Sequence, residues 1–144
     1  MKVVVQRVIT ASVTVDEKLI SQTKEGLLLF IGFTHDDTIE KIDYIINKII
    51  KLRIFKDENG NMNKSLLDIN GEILSISQFT LYSDTIKGNR PSFINSMNKE
   101  QAEKLYDIFN TKISKIIPTK TGIFGANMKV NLINDGPVTI ILER

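Results

Sequence analysis

The sequence has no cysteine and no tryptophan, one histidine and three prolines. Without cysteine there is no disulfide framework and no thiolate metal site. The single histidine, His35, would have to carry any Ser-His-Asp constellation alone. It stands beside Asp36 and Asp37 where a strand reads into a helix, which suits a solvated loop histidine, and no triad is expected. There is no low-complexity tract, no internal repeat, no linker, and no long apolar stretch at the start of the kind a signal peptide carries. Charge of one sign is not in excess either. Nineteen basic against seventeen acidic residues leave a net +2, so any nucleic-acid contact must come from a local patch. The expectation is a soluble, cytoplasmic chain forming a single domain over residues 1–144, with no metal, no cofactor and no membrane contact.

What is present is 42% hydrophobic residues in 144, enough for one core. Lys2 to Val15 is β-rich, Leu19 to Thr23 reads as a short strand after the Asp16-Glu17-Lys18 turn, and Gly26 to Phe33 is a continuous apolar run suited to a buried strand. Asp37 and Glu40 have capping-box spacing, and Ile39, Ile42, Ile45, Ile46, Ile49 and Leu52 then recur at helical intervals. Asp57-Glu58-Asn59-Gly60 is a turn signal. A second helix is predicted from Asn98, with Gln101 at the third position helping to cap it. It presents Ala102, Leu105, Tyr106, Phe109, Ile113 and Ile116 to the core and stops before Pro118. The fold class is therefore α/β and β-rich: about two strands, two strand-helix units and a final antiparallel strand group.

With so few prolines, Pro137 stands out. Met128, Val130 and Leu132 alternate with polar residues before it, and Val138, Ile140 and Leu142 resume the alternation after it. That pattern predicts a terminal hairpin with Gly136-Pro137 at its start, and Asn134-Asp135-Gly136-Pro137 reads locally as a turn. A proline cannot donate to a ladder, and X-Pro is the one bond for which cis costs only about 0.5–1 kcal/mol. A second polar cluster closes an apolar strand that begins at Glu72-Ile73-Leu74: Ser75-Ile76-Ser77-Gln78-Phe79-Thr80-Leu81-Tyr82-Ser83-Asp84. Strand ends hold side chains rigidly beside a cleft, which suits binding, although Ser77 and Thr80 on an edge strand facing solvent would give the same pattern.

Taken together, these segments resemble the D-aminoacyl-tRNA deacylases, with a Ser-Gln-x-Thr motif (Ser77 to Thr80) on one strand and a Gly-Pro motif (Gly136-Pro137) near the C-terminus. The resemblance runs along nearly the whole chain, through Met1 to Val8, Leu52 to Phe55, Met62 to Ser65, Lys87 to Phe93 and Thr121 to Ala126. Ser83, where relatives tend to carry another small residue, is a mild departure. The resemblance implies the family's fold and hydrolysis of the ester of D-aminoacyl-tRNA, with glycyl-tRNA mischarged on the alanine tRNA as a further substrate. It also implies catalysis assisted by the 2′-hydroxyl of the terminal ribose, and a homodimer in which a Gly-cisPro pair of one subunit enters the other's pocket and excludes L side chains. The implied partner is the aminoacylated end of tRNA, not DNA.

An activated ester needs a positioned water and stabilisation of the developing oxyanion. Thr80 could act as a nucleophile only with a base in reach, and none is evident. Ser77, Gln78, Phe79 and Thr80 are accordingly assigned to shaping the pocket, with N–H groups around Phe79 and Thr80 as oxyanion donors. Phe124 and Met128 are candidates for packing on the terminal adenine, and Lys87, Arg90, Lys112, Lys115 and Lys120 for phosphate contacts. Arg7 either braces the Gly-Pro segment or is an ordinary strand-surface arginine. Two other readings stay open: a tRNA-end or acyl-group binding module without turnover, and a conventional Ser/Thr hydrolase of small esters.

Overall fold

The β-rich run Lys2–Val15 makes β1, whose burial alternates on either side of a break at Arg7-Val8, and this strand organises the molecule. The computed structural model describes residues 1–144. Along one edge β1 pairs antiparallel with β3 (Gly26–Gly32) through Lys2 to Val8, then with β2 (Lys18–Thr23) through Ala11 to Val15. Its other edge pairs along nearly its whole length with β8 (Lys129–Glu143). β3 then runs parallel to β6 (Glu72–Ser77), and β6 parallel to the short β7 (Thr119–Thr121). The small hairpin of β4 (Phe55–Lys56) and β5 (Met62–Lys64) stands apart around the Asp57–Gly60 turn. Ser21 Oγ donates to the Thr121 carbonyl at 2.7 Å and Lys120 Nζ to that of Gln22 at 2.7 Å. These bonds draw β2 toward β7, so the sheet curls almost closed, a strand-rich α/β architecture as expected.

Two helices cover one face. The helix α1 (Ile39–Lys51) buries Ile42, Ile45, Ile46, Ile49 and Ile50, and α2 (Lys99–Ile113) buries Ala102, Tyr106, Phe109 and Ile113. These meet Val3, Val5, Leu27, Leu29, Ile31 and Ile73 from the sheet in the larger core. At about 1.5–3 kcal/mol for each large aliphatic side chain, the isoleucine face of α1 is a main source of its stability. A smaller core of Val8, Ala11, Val13, Leu28, Leu74 and Ile76 fills the concave side of the sheet. Strands β3 and β6 lie between the two, which is why they read as unbroken apolar runs.

Four local expectations are corrected. The C-terminal segment is one strand and not a hairpin: β1 is long enough to pair with all of it, and Gly136-Pro137 is absorbed as a bulge between the Gln6–Thr139 and Val8–Asn134 pairs. Asp37 does not cap α1. Thr38 is the N-cap, without a side-chain bond, while Asp37 turns inward to accept from Thr34 N at 2.8 Å and to pair with the Met1 amino group. Ile39 and Ile116 are exposed, the first at the open start of α1 and the second beyond the end of α2. Ser77 ends its strand, so the Ser-Gln-x-Thr motif continues into a 3-10 turn (Phe79–Tyr82) instead of lying on the strand. The cap of α2 is as read: Asn98 Oδ1 accepts from Gln101 N at 3.0 Å, and its amide donates to Gln101 Oε1.

Candidate active site

Ser77 closes β6 opposite Ile31 of β3, and the next residue donates from Gln78 N to Ile31 O at 2.7 Å. The chain then leaves the sheet into the 3-10 turn, at the carboxyl end of parallel strands, where open α/β sheets place ligands. A cavity of about 510 Å³ opens there. Ile31, Ile76, Met97 and Val130 give it an apolar lining, Ser77, Gln78 and Asn127 its polar groups, and Phe79, Phe124 and Met128 its large flexible or aromatic surfaces. Gly122 permits this arrangement, since a Cβ there would lie 2.4 Å from Met128 Sδ.

Most of the expected site residues converge on this cavity. Phe124 is held against Tyr106, ring centroids 5.6 Å apart, and Tyr106 Oη donates to Ser75 O at 2.8 Å. Phe79 is 57% exposed and meets Phe93 edge-on at 4.9 Å, so an aromatic pair stands at the mouth. Thr80 does not line the cavity; its Oγ1 accepts from Gln78 Nε2 at 2.6 Å, which orients the glutamine amide. The N–H groups of Phe79 and Thr80 engage no acceptor in the chain, as befits the first residues of a helical turn. Around the cavity no Asp, Glu, His or Cys side chain appears. His35 is exposed, with Nε2 2.7 Å from Ile94 O, in the loop setting expected of it.

The cationic candidates do not gather there. Lys87 and Arg90 are exposed on the 84–96 loop without ion-pair partners. Lys112 Nζ is 2.5 Å from Asp43, Lys120 bonds to Gln22 O, and Lys115 is exposed. The one charged side chain that does line the cavity is Lys99, which nothing in the sequence pattern singles out.

Gly136 and Pro137 are exposed and do not line the cavity of their own chain. Their peptide bond is cis, and Gly136 has φ +117°, a conformation side chains oppose. A Cβ there would lie 2.9 Å from Val138 Cγ2 and 3.0 Å from Arg7 Nη2. Asn134 closes the base of the bulge, its amide donating to Arg7 O at 2.9 Å and Val138 O at 3.0 Å. Arg7 is no surface arginine: it is 3% exposed and its Nη1 donates to Ile54 O. Its Nε lies 2.8 Å from Asp135 Oδ2, an ion-pair distance, although the N–H is not aimed along that line and makes no hydrogen bond.

A strand-rich α/β fold with a cavity that offers hydroxyl, amide and open N–H groups and a single lysine, but no His, Asp, Glu or Cys, defines the class: a small α/β protein with a mixed polar and apolar cleft at the end of its parallel strands. Comparison with known proteins specifies the class further. Residues 4–143 match the family model described as D-Tyr-tRNA(Tyr) deacylase. Two curated proteins named D-aminoacyl-tRNA deacylase, from Limosilactobacillus reuteri strain DSM 20016 and L. reuteri subsp. reuteri strain JCM 1112, are each 54% identical, with both chains covered completely. A solved structure titled c-Myc DNA Unwinding Element Binding Protein is 44% identical with a TM-score of 0.95, covering 100% of this chain and 99% of that one. A probable eukaryotic D-amino acid tRNA deacylase, 18% identical with a TM-score of 0.83 over 98% and 97% of the two chains, shares the fold. The chain belongs to the D-Tyr-tRNA(Tyr) deacylase family.

Proposed function

We propose that this protein clears D-aminoacyl esters from tRNA by holding the ester carbonyl at the Ser77–Thr80 turn while the RNA activates the attacking water. Membership of the family makes it a hydrolase of D-aminoacyl-tRNA; the mechanism and the selection below are our reading. The observation that carries it is the cavity at the end of β6, where polar and open N–H groups meet an apolar surface with no histidine, carboxylate or thiol among its lining. Water adds to the carbonyl carbon, the oxyanion is met by the N–H groups of Phe79 and Thr80, and collapse releases the ribose 3′-hydroxyl and the free amino acid. The proton taken from water passes by way of the neighbouring 2′-hydroxyl to the leaving oxygen. Phe124 and Met128 take the terminal adenine.

Selection falls to Gly136-Pro137 acting on a partner subunit's cavity in a two-fold homodimer, which would build two equivalent sites. In support, the pair is exposed and lies outside its own cavity. It is also held from behind, by Arg7 on one side and Asn134 at its base. A rigid backbone without a side chain at the closest approach suits rejection of an L side chain by contact. Glycine has no side chain to reject, so glycyl-tRNA is a substrate on this reading. The test is one time course with D-tyrosyl-, L-tyrosyl- and glycyl-tRNA. Cleavage of the D and glycyl esters with the L ester spared supports the whole reading, whereas tRNA binding without cleavage of any ester would make the protein a binding module.

A further inference from the structure

We propose that Lys99 is the anion contact of this cavity and that it takes the phosphodiester on the 5′ side of the terminal adenosine. The inference rests on the cavity being the seat of an aminoacylated nucleotide end. Lys99 supplies the only charge on a lining that is otherwise neutral. It has no partner in the chain: Glu100 beside it pairs with Lys104 at 2.7 Å, and no carboxylate comes within ion-pair distance of Lys99. Its place is well determined, because the Asn98 cap sets where α2 begins and Lys99 is the first residue of the helix. From there the side chain crosses bare backbone, since a Cβ on Gly125 would meet Lys99 Cε at 3.2 Å and Nζ at 3.3 Å. A side chain at 125 would push the ammonium away from the mouth.

The chemistry of the ligand then selects the contact. In an aminoacyl ester the carboxylate is gone, the α-amino group is neutral or cationic, and ribose and adenine are uncharged. The phosphodiester is the single anion that end carries, and an ammonium makes a charge-assisted bond to it. Repulsion between Lys99 and the α-ammonium also favours the orientation with the acyl group at Ser77–Phe79 and the phosphate at α2.

The experiment uses two non-hydrolysable probes: the D-tyrosyl amide of 3′-amino-3′-deoxyadenosine, and the same compound carrying a 5′-phosphate methyl ester, which adds one negative charge and little else. On the full protein the diester probe should bind about fivefold tighter than the nucleoside probe at low salt, the advantage shrinking as salt rises. Lys99→Ala should erase the difference between the two probes, and Lys99→Arg should restore it. An equal advantage in Lys99→Ala, or none in the unaltered protein, overturns the assignment to Lys99 while the nucleoside probe still binds. Failure of the nucleoside probe to bind at all overturns the underlying reading of the cavity, and this inference with it.

Discussion

At the scale of single residues, the proposed mechanism depends on groups that position and not on groups that react. Thr80 accepts the Gln78 amide and has no base in reach, so Thr80→Ala should keep substantial single-turnover deacylation. Complete loss with tRNA binding intact would return Thr80 to the role of nucleophile. The absence of histidine, carboxylate and thiol groups from the cavity lining gives a second expectation. The single-turnover rate should show no bell-shaped dependence on pH between about 5 and 8, the range over which a histidine or a raised carboxylate would act. A bell in that interval, measured on D-tyrosyl-tRNA, would place a titrating side chain in the reaction. Gly136→Ala should be harmful on two counts, the positive φ and the 3.0 Å approach to Arg7. About 1–3 kcal/mol of stability should be lost, read from the denaturant midpoint.

Elements are held in place by a few bonds whose removal can be foreseen. Tyr106 ties α2 to the strand that delivers Ser77, since its hydroxyl reaches Ser75 O and its ring supports Phe124. Burial pushes the Tyr106 hydroxyl pKa up, so the bond is present throughout the neutral range. Tyr106→Phe keeps the packing and should lower stability by about 1 kcal/mol, seen as a lower melting temperature. The β4–β5 hairpin is organised by Asp57, which accepts from Asn63 Nδ2 at 2.6 Å and from the N–H groups of Asn59 and Asn61 at 2.9 Å. The Asn63 bond first, then the backbone ones, hold the Asp57 carboxyl below its ordinary value. A depressed carboxyl stabilises the fold above its unfolded pKa and loses that contribution as pH falls through the folded value. Asp57→Asn should therefore weaken the hairpin at neutral pH and make little difference in strong acid, as amide exchange over residues 55–64 would report.

At the scale of the whole molecule, one chain contains the cavity and exposes the Gly136-Pro137 segment, but does not bring the two together. If the segment works on a second copy, activity should fall as dilution separates subunits, with D-over-L selection lost together with the dimer in sedimentation experiments. A monomer that still spares L-tyrosyl-tRNA would place selection elsewhere. No helix is long and apolar enough to cross a membrane.

What the sequence determined by itself was whatever local pattern controls. The β-rich composition of β1, the isoleucine spacing of α1, the Asn98 cap and the Asp57–Gly60 turn all depend on residues close in the chain, and each was legible. The ordered motifs likewise identified Ser77, Gln78, Phe79, Phe124 and Met128, and the fold carries these to one cavity although almost fifty residues separate the two groups. Only the tertiary structure could decide the rest, because the deciding partner was remote. Gly136-Pro137 is a bulge and not a hairpin turn because β1 offers continuous pairing on both sides of it. Arg7 is buried because Ile54 and Asp135 converge on it from distant segments, and Asp37 is drawn inward by the Met1 amino group and so leaves the cap of α1 to Thr38. Lys99 could not be read at all: a lysine at the start of a helix has no distinguishing pattern, and its meaning arises only where α2 sets it over Gly125 with no carboxylate near.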